Sequence, residues 1–147
     1  MKKQKKSLLF VLFALYILIL FRITVFRSDF LTHGLFSGSI LWVPFVELYR
    51  ILRNDFFVFF YLFVGNIIWF IPFGFLLPGL WNTGKKAILY TLLLSLVIEL
   101  LQFVFGTGVT EVEDLILNTL GGAMGYWAFI FIKSFSANPH NENEPLP

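Results

Sequence analysis

Of the chain's 147 residues 58% are hydrophobic and 20 are phenylalanine, a length that allows one domain. A soluble protein of this size could not cover so much apolar surface, so a membrane is the better solvent. The net charge of +2 is too small to argue for nucleic acid, and the lack of cysteine removes disulfides, thiolate metal sites and a cysteine nucleophile.

Lys2, Lys3, Lys5 and Lys6 precede an apolar run over residues 7–26. A secretory signal shares that basic start, but its apolar core is shorter, about 7–15 residues, and no small-residue cleavage site follows here. The run reads as a retained first span. Arg22 lies about one turn from its far end, ~6 Å at 1.5 Å per residue. It either snorkels to the headgroups or partners a buried acid, with Glu99 as the candidate.

Residues 28–55 form the longest non-spanning segment, in which His33, standing alone, reads as a loop residue. Pro44 can open a short helix, since its missing N–H is harmless at the first helical position. Glu47, Arg50 and Arg53 then recur at intervals of three, with Phe45, Leu48, Tyr49 and Leu52 among the apolar residues between them. Such a segment suits the membrane interface, or a linker helix packed on a bundle.

A second span covers residues 56–80 and is interrupted by Gly65, Asn66, Pro72, Gly74 and Pro78. Pro72 cannot donate to the carbonyl of Ile68, so a kink or an unwound stretch is expected near it. Asn66, ~15 Å into the span, falls near the midplane. After the basic turn at Lys85 and Lys86, a third span covers 87–105 and a fourth 115–132. Gly121 and Gly125 have the small-xxx-small spacing that lets helix backbones approach closely. Residues 134–147 are polar and carry proline, and read as a disordered tail. The expected class is all-α: an integral membrane four-helix bundle over residues 1–133, with an interfacial segment between its first two spans.

Polar residues interrupt the last two spans in a pattern. Thr91, Ser95, Glu99 and Gln102 recur at helical spacing and make one stripe. Asp114, Asn118, Gly121 or Gly122, and Gly125 make a second. A charged side chain near the bilayer centre costs roughly 2.5 kcal/mol or more, so such groups face protein or a wet cavity. Two facing stripes would meet that cost together. The candidate pocket is therefore Asn66, Glu99, Gln102, Asp114 and Asn118, with Pro72, Gly74, Gly121 and Gly125 as packing positions. Glu99, Glu111, Glu113 and Asp114 could offer hard oxygen ligands to a metal, but a solvated acidic turn is the commoner meaning, and no metal or cofactor is expected.

Orientation follows from Lys and Arg. Both termini and the Lys85–Lys86 turn carry the lysines, whereas the other side has three arginines and the acidic turn. The lysine-rich side faces the cytoplasm, giving N-in and C-in. Glu99 then lies ~9 Å below the outer surface, and the polar cluster opens outward.

With these residues placed, the chain resembles the VanZ-like family of small bacterial membrane proteins, over roughly residues 42–127. Asn66-Ile67-Ile68-Trp69-Phe70-Ile71-Pro72-Phe73-Gly74 resembles its Asn-rich, Phe-x-Pro-x-Gly helix. Ser95-Leu96-Val97-Ile98-Glu99-Leu100-Leu101-Gln102 resembles its Ser-x-x-x-Glu-x-x-Gln helix, and Asp114-Leu115-Ile116-Leu117-Asn118-Thr119-Leu120-Gly121 its Asp-x-x-x-Asn-Thr-x-Gly segment. Trp42-Val43-Pro44-Phe45 matches a weaker Pro-Phe element. Two departures stand out: Thr107, Gly108 and Val109 occupy a turn where many relatives carry an arginine, and Glu111 and Glu113 stand where many have aspartate. The resemblance implies a multi-pass protein of a Gram-positive plasma membrane and, for the family's namesake, tolerance of teicoplanin-type lipoglycopeptides.

Three functions compete. The favoured one is a non-enzymatic protein that binds or shields a membrane lipid, a lipid-linked wall precursor or a lipoglycopeptide at the outer leaflet. The second is an enzyme on a lipid-linked envelope substrate, with Glu99 or Asp114 as acid or base; no Ser/His pair or phosphate loop supports it. The third is an accessory subunit of a transporter.

Overall fold

The computed structural model describes residues 2–27, 30 and 34–137. The element order is α1 (Lys2–Thr24), β1 (Ser39–Leu41), α2 (Val46–Asn54), α3 (Phe56–Trp81), α4 (Lys86–Phe105), β2 (Val109–Glu111) and α5 (Val112–Ala137). Of these helices α1, α3, α4 and α5 are long and apolar enough to cross a membrane. Most of their large apolar side chains stay exposed, as expected of surfaces that meet lipid.

The chain goes up and down four times. Phe10 and Phe13 near the start of α1 meet Trp81 at the end of α3. Phe129, late in α5, packs on Phe75 of α3. The first and last helices thus begin and end at one end of the bundle, and both strands and α2 lie at the other. The lysine bias makes the termini end cytoplasmic. On whole cells, Ser39→Cys and Asn54→Cys are expected to react with an impermeant thiol reagent, and Lys85→Cys and Ser134→Cys are not. Labelling at Lys85→Cys from outside would reverse the orientation.

The most extensive helix contact is between α3 and α5. It depends on glycine. A Cβ at Gly121 would sit 2.1 Å from the Ile67 carbonyl oxygen, and one at Gly125 would sit 2.0 Å from that of Ile71. From the other side, a Cβ at Gly74 would meet the Gly122 carbonyl oxygen at 1.9 Å. Helix pairs in lipid associate by such close packing, because the tails outside are as apolar as the side chains inside. Beside this seam, Phe70, Ile98, Leu20 and Val25 form one buried cluster, and Phe73, Leu77 and Ala87 another.

Several expectations change here. The helix α3 stays continuous through Pro72 and Pro78, so no unwound stretch occurs. Near the break in its ladder, the Tyr16 hydroxyl of α1 donates to the Trp69 carbonyl at 2.6 Å. Pro44 does not open α2. The helix starts at Val46, after Phe45 has taken a left-handed conformation at φ 64°. The fold is helical except for β1 and β2, which pair in parallel with Ile40 opposite Thr110. Residues 134–137 continue α5, and the rest of the expected tail, like His33, lies outside the described residues.

The segment before β1 caps α4. Phe36 and Gly38 donate their N–H groups to the Val104 and Phe103 carbonyls, and Thr107 donates to that of Gln102. Carbonyls that a helix end leaves without partners are thereby satisfied. Gly38 is needed for this approach, since a Cβ there would lie 2.6 Å from the Phe103 Cα.

Candidate functional site

The two polar stripes face each other. Thr91, Ser95, Glu99 and Gln102 are all buried on the inner side of α4. Asn118 of α5 donates to the Ser95 hydroxyl at 2.8 Å. One turn toward the termini end, Gly122 leaves room for Thr91, whose hydroxyl oxygen would be 2.2 Å from a Cβ there. The small residue at each rung lets the polar one opposite it fit.

At the strand end the stripes diverge and enclose the acidic turn. Glu99 is 2% exposed, and its carboxylate accepts the Glu111 N–H at 3.1 Å. The Thr110 hydroxyl donates to the Glu99 carbonyl at 3.0 Å, so the top of α4 holds β2 by side chain and backbone together. Asp114 accepts from the Asn66 carboxamide. That contact joins the first turn of α5 to a point ~15 Å along α3, so α5 starts well below the start of α3. Glu113, its neighbour, accepts from the N–H of Phe45, which ties α5 to the entry of α2. Both acids sit in the first turn of α5, where the helix dipole favours negative charge.

Recessing α5 leaves a cavity of about 470 Å³ under α2 and beside the upper half of α3. Asn66, Gln102 and Asp114 line it; Glu99 and Asn118 do not, and lie beneath and below its wall. Glu47, Glu111 and Glu113 line it as well, with Arg27 as the basic residue on its wall. One side is apolar, built from Leu48, Ile51, Leu62 and Trp69. Arg22 is not a partner of Glu99: its guanidinium turns back to the Phe26 carbonyl near the end of α1. Gln102 donates through Nε2 to the Thr24 carbonyl at 3.1 Å, which closes the wall against α1.

Burial pushes the Glu111 carboxyl up, to about 8, with a hydrogen bond to Glu113 and the nearby charges of Asp114 and Glu47 adding to the effect. Among the described residues, no three or more His, Asp or Glu side chains are grouped so as to hold a metal ion. Asp114 and Glu111 reach the cavity and could exchange a proton with something in it, whereas Glu99 is committed to β2.

Sequence reasoning did not anticipate Glu47 or Arg27 in this cavity. Both come from the non-spanning segment, and its position depends on the β1–β2 pairing and on the Glu113 contact with Phe45. The β-branched Val109, Thr110 and Val112 were the signal for a strand, though a short one.

A family model described as VanZ/LLP1 matches residues 10–133. Protein VanZ of Enterococcus faecium is 43% identical over 68 residues, a match covering 42% of this chain and 40% of that protein. The matched part thus spans well under two thirds of the relative's length. No solved structure matches the chain.

Proposed function

Because this chain belongs to the VanZ/LLP1 family, we propose that it is a multi-pass plasma-membrane protein that binds or shields a lipid-linked or lipophilic ligand at the outer leaflet. The carrying observation is the shape of the cavity. It has a polar floor of Asn66, Gln102 and Asp114 and an apolar side of Leu48, Ile51, Leu62 and Trp69. An amphiphile needs both surfaces, and pockets for small ligands commonly combine an apolar lining with a few placed polar groups. The amphipathic α2 roofs the cavity, with Leu48 buried beneath it and Val46 and Tyr49 exposed. A helix of this kind suits the headgroup boundary, where it would border the path of an entering lipid.

Lipid-linked wall precursors, membrane lipids and lipoglycopeptides of the teicoplanin type all have this two-part chemistry. Tolerance of such antibiotics is the phenotype proposed for this chain. Photocrosslinking in native membranes tests the ligand. A benzophenone side chain at Leu62, on the cavity wall, is expected to capture a discrete lipophilic species. The same group at Leu93, which is exposed on α4 away from the cavity, should give only the bulk lipid pattern. Identical adducts at both positions would remove the ligand site.

A further inference from the structure

The polar wall of the cavity is made almost entirely of acceptors. Of the ionisable residues that line it, Glu47, Glu111, Glu113 and Asp114 are acidic and Arg27 and Tyr61 are not. A second observation is independent of that charge. Gln102 lines the cavity with only 9% of its surface exposed, and its Oε1 has no donor among the described residues. The bond from Nε2 to the Thr24 carbonyl fixes which end of the amide is oxygen. A buried carbonyl without a donor costs about 1–3 kcal/mol, and a ligand N–H would relieve it. Tyr61 and Trp69 add aromatic faces to the same wall, and ring faces attract cations.

We propose that the ligand of this cavity presents an ammonium group, held by Glu47, Glu111 and Asp114 with the Gln102 carbonyl, while its apolar part leaves past Leu62 and Tyr61 toward lipid. The inference rests on the proposed function and names the ligand's headgroup. An ammonium carries three donors and no acceptor, which complements a wall of carboxyls and one carbonyl. The carboxyls are spread around the wall instead of converging on one point, which suits an organic cation with several contacts better than a metal ion.

The protonation of Glu111 gives the inference a pH signature. Glu47 faces it from α2, Arg27 from the end of α1, Glu99 from α4, and Glu113 and Asp114 from α5. With its carboxyl pushed up to about 8, Glu111 holds a proton in the empty cavity at neutral pH. A bound ammonium favours the carboxylate, so binding releases that proton. Affinity should therefore rise between about pH 6 and about pH 9, where an alkylammonium stays charged.

The test uses the full chain in nanodiscs and three probes with one dodecyl tail: dodecylammonium, N-acetyldodecylamine and dodecyl phosphate. Saturable binding is read from tryptophan fluorescence against empty nanodiscs. Dodecylammonium is expected to bind at least about tenfold more tightly than the other two. Glu111→Gln and Glu47→Gln should each reduce that preference, and Glu47 is partly exposed, so its variant is the safer one to fold. Equal binding of the ammonium and acetylated probes would overturn the ammonium assignment and leave a lipophile site standing. Failure of all three probes to bind saturably would overturn both readings. A preference that survives both substitutions, or is matched by calcium ion alone, would also overturn the assignment.

Discussion

Gly121→Leu is expected to destroy the packed bundle, and Gly121→Ala to destabilise it strongly. Even one methyl at this position would overlap the Ile67 carbonyl, which is part of a helix backbone and cannot turn away. Overpacking ordinarily costs about 1–3 kcal/mol, and a clash with backbone belongs at or above the upper end. The damage would reach the cavity, because the same α3–α5 seam holds Asn66 against Asp114. Gly65 supplies the internal control. It lies on α3 two residues before Ile67, yet a Cβ there meets nothing within 4 Å. Gly65→Ala should be neutral or slightly stabilising, by up to about 1 kcal/mol from helix propensity. Leu92→Ala, on a partly exposed position of α4, should also cost little. The measurement is monodispersity and thermal midpoint in detergent. Equal losses at Gly121 and Gly65 would mean that the interface is wrong.

What could be read from the sequence follows from how local each signal is. Four long apolar helices and the inward face of Thr91, Ser95, Glu99 and Gln102 depend on spacing along one segment, and spacing was visible. The close approach at Gly121 and Gly125 was likewise written in a four-residue repeat. The cavity depends on contacts between distant segments. Phe45 and Glu113 meet across the whole bundle, and β1 finds β2 through register, which three-residue strands barely encode. Glu47 could be placed on a polar helix face, but nothing local indicated that the face would turn toward Glu111. Pro72 misled in the other direction. A proline does break one backbone hydrogen bond, yet α3 is clasped by α5 on one side and by Tyr16 on another, and it stays helical. Tertiary packing overrode the local rule.

Asp114→Asn is expected to abolish lipoglycopeptide tolerance while the protein remains inserted and folded. The amide keeps an acceptor for the Asn66 carboxamide, so the link between α3 and α5 survives. The change in stability should stay within about 1 kcal/mol, the scale of one ordinary hydrogen bond. What is lost is a carboxyl on the cavity wall, the group an entering ligand would meet. Glu99→Gln separates position from chemistry. Its amide oxygen can still accept the Glu111 N–H, and its carboxyl lies beneath the wall, so tolerance should fall less than in Asp114→Asn. Antibiotic susceptibility, protein level and monodispersity would be measured together in cells that depend on this chain. Full tolerance in a well-expressed Asp114→Asn strain would sink the pocket as a functional site. Loss of protein in both variants would instead make the two carboxyls struts of the bundle. A selective fall to the susceptibility of cells lacking the protein, with normal protein level, is the outcome a ligand-binding cavity requires.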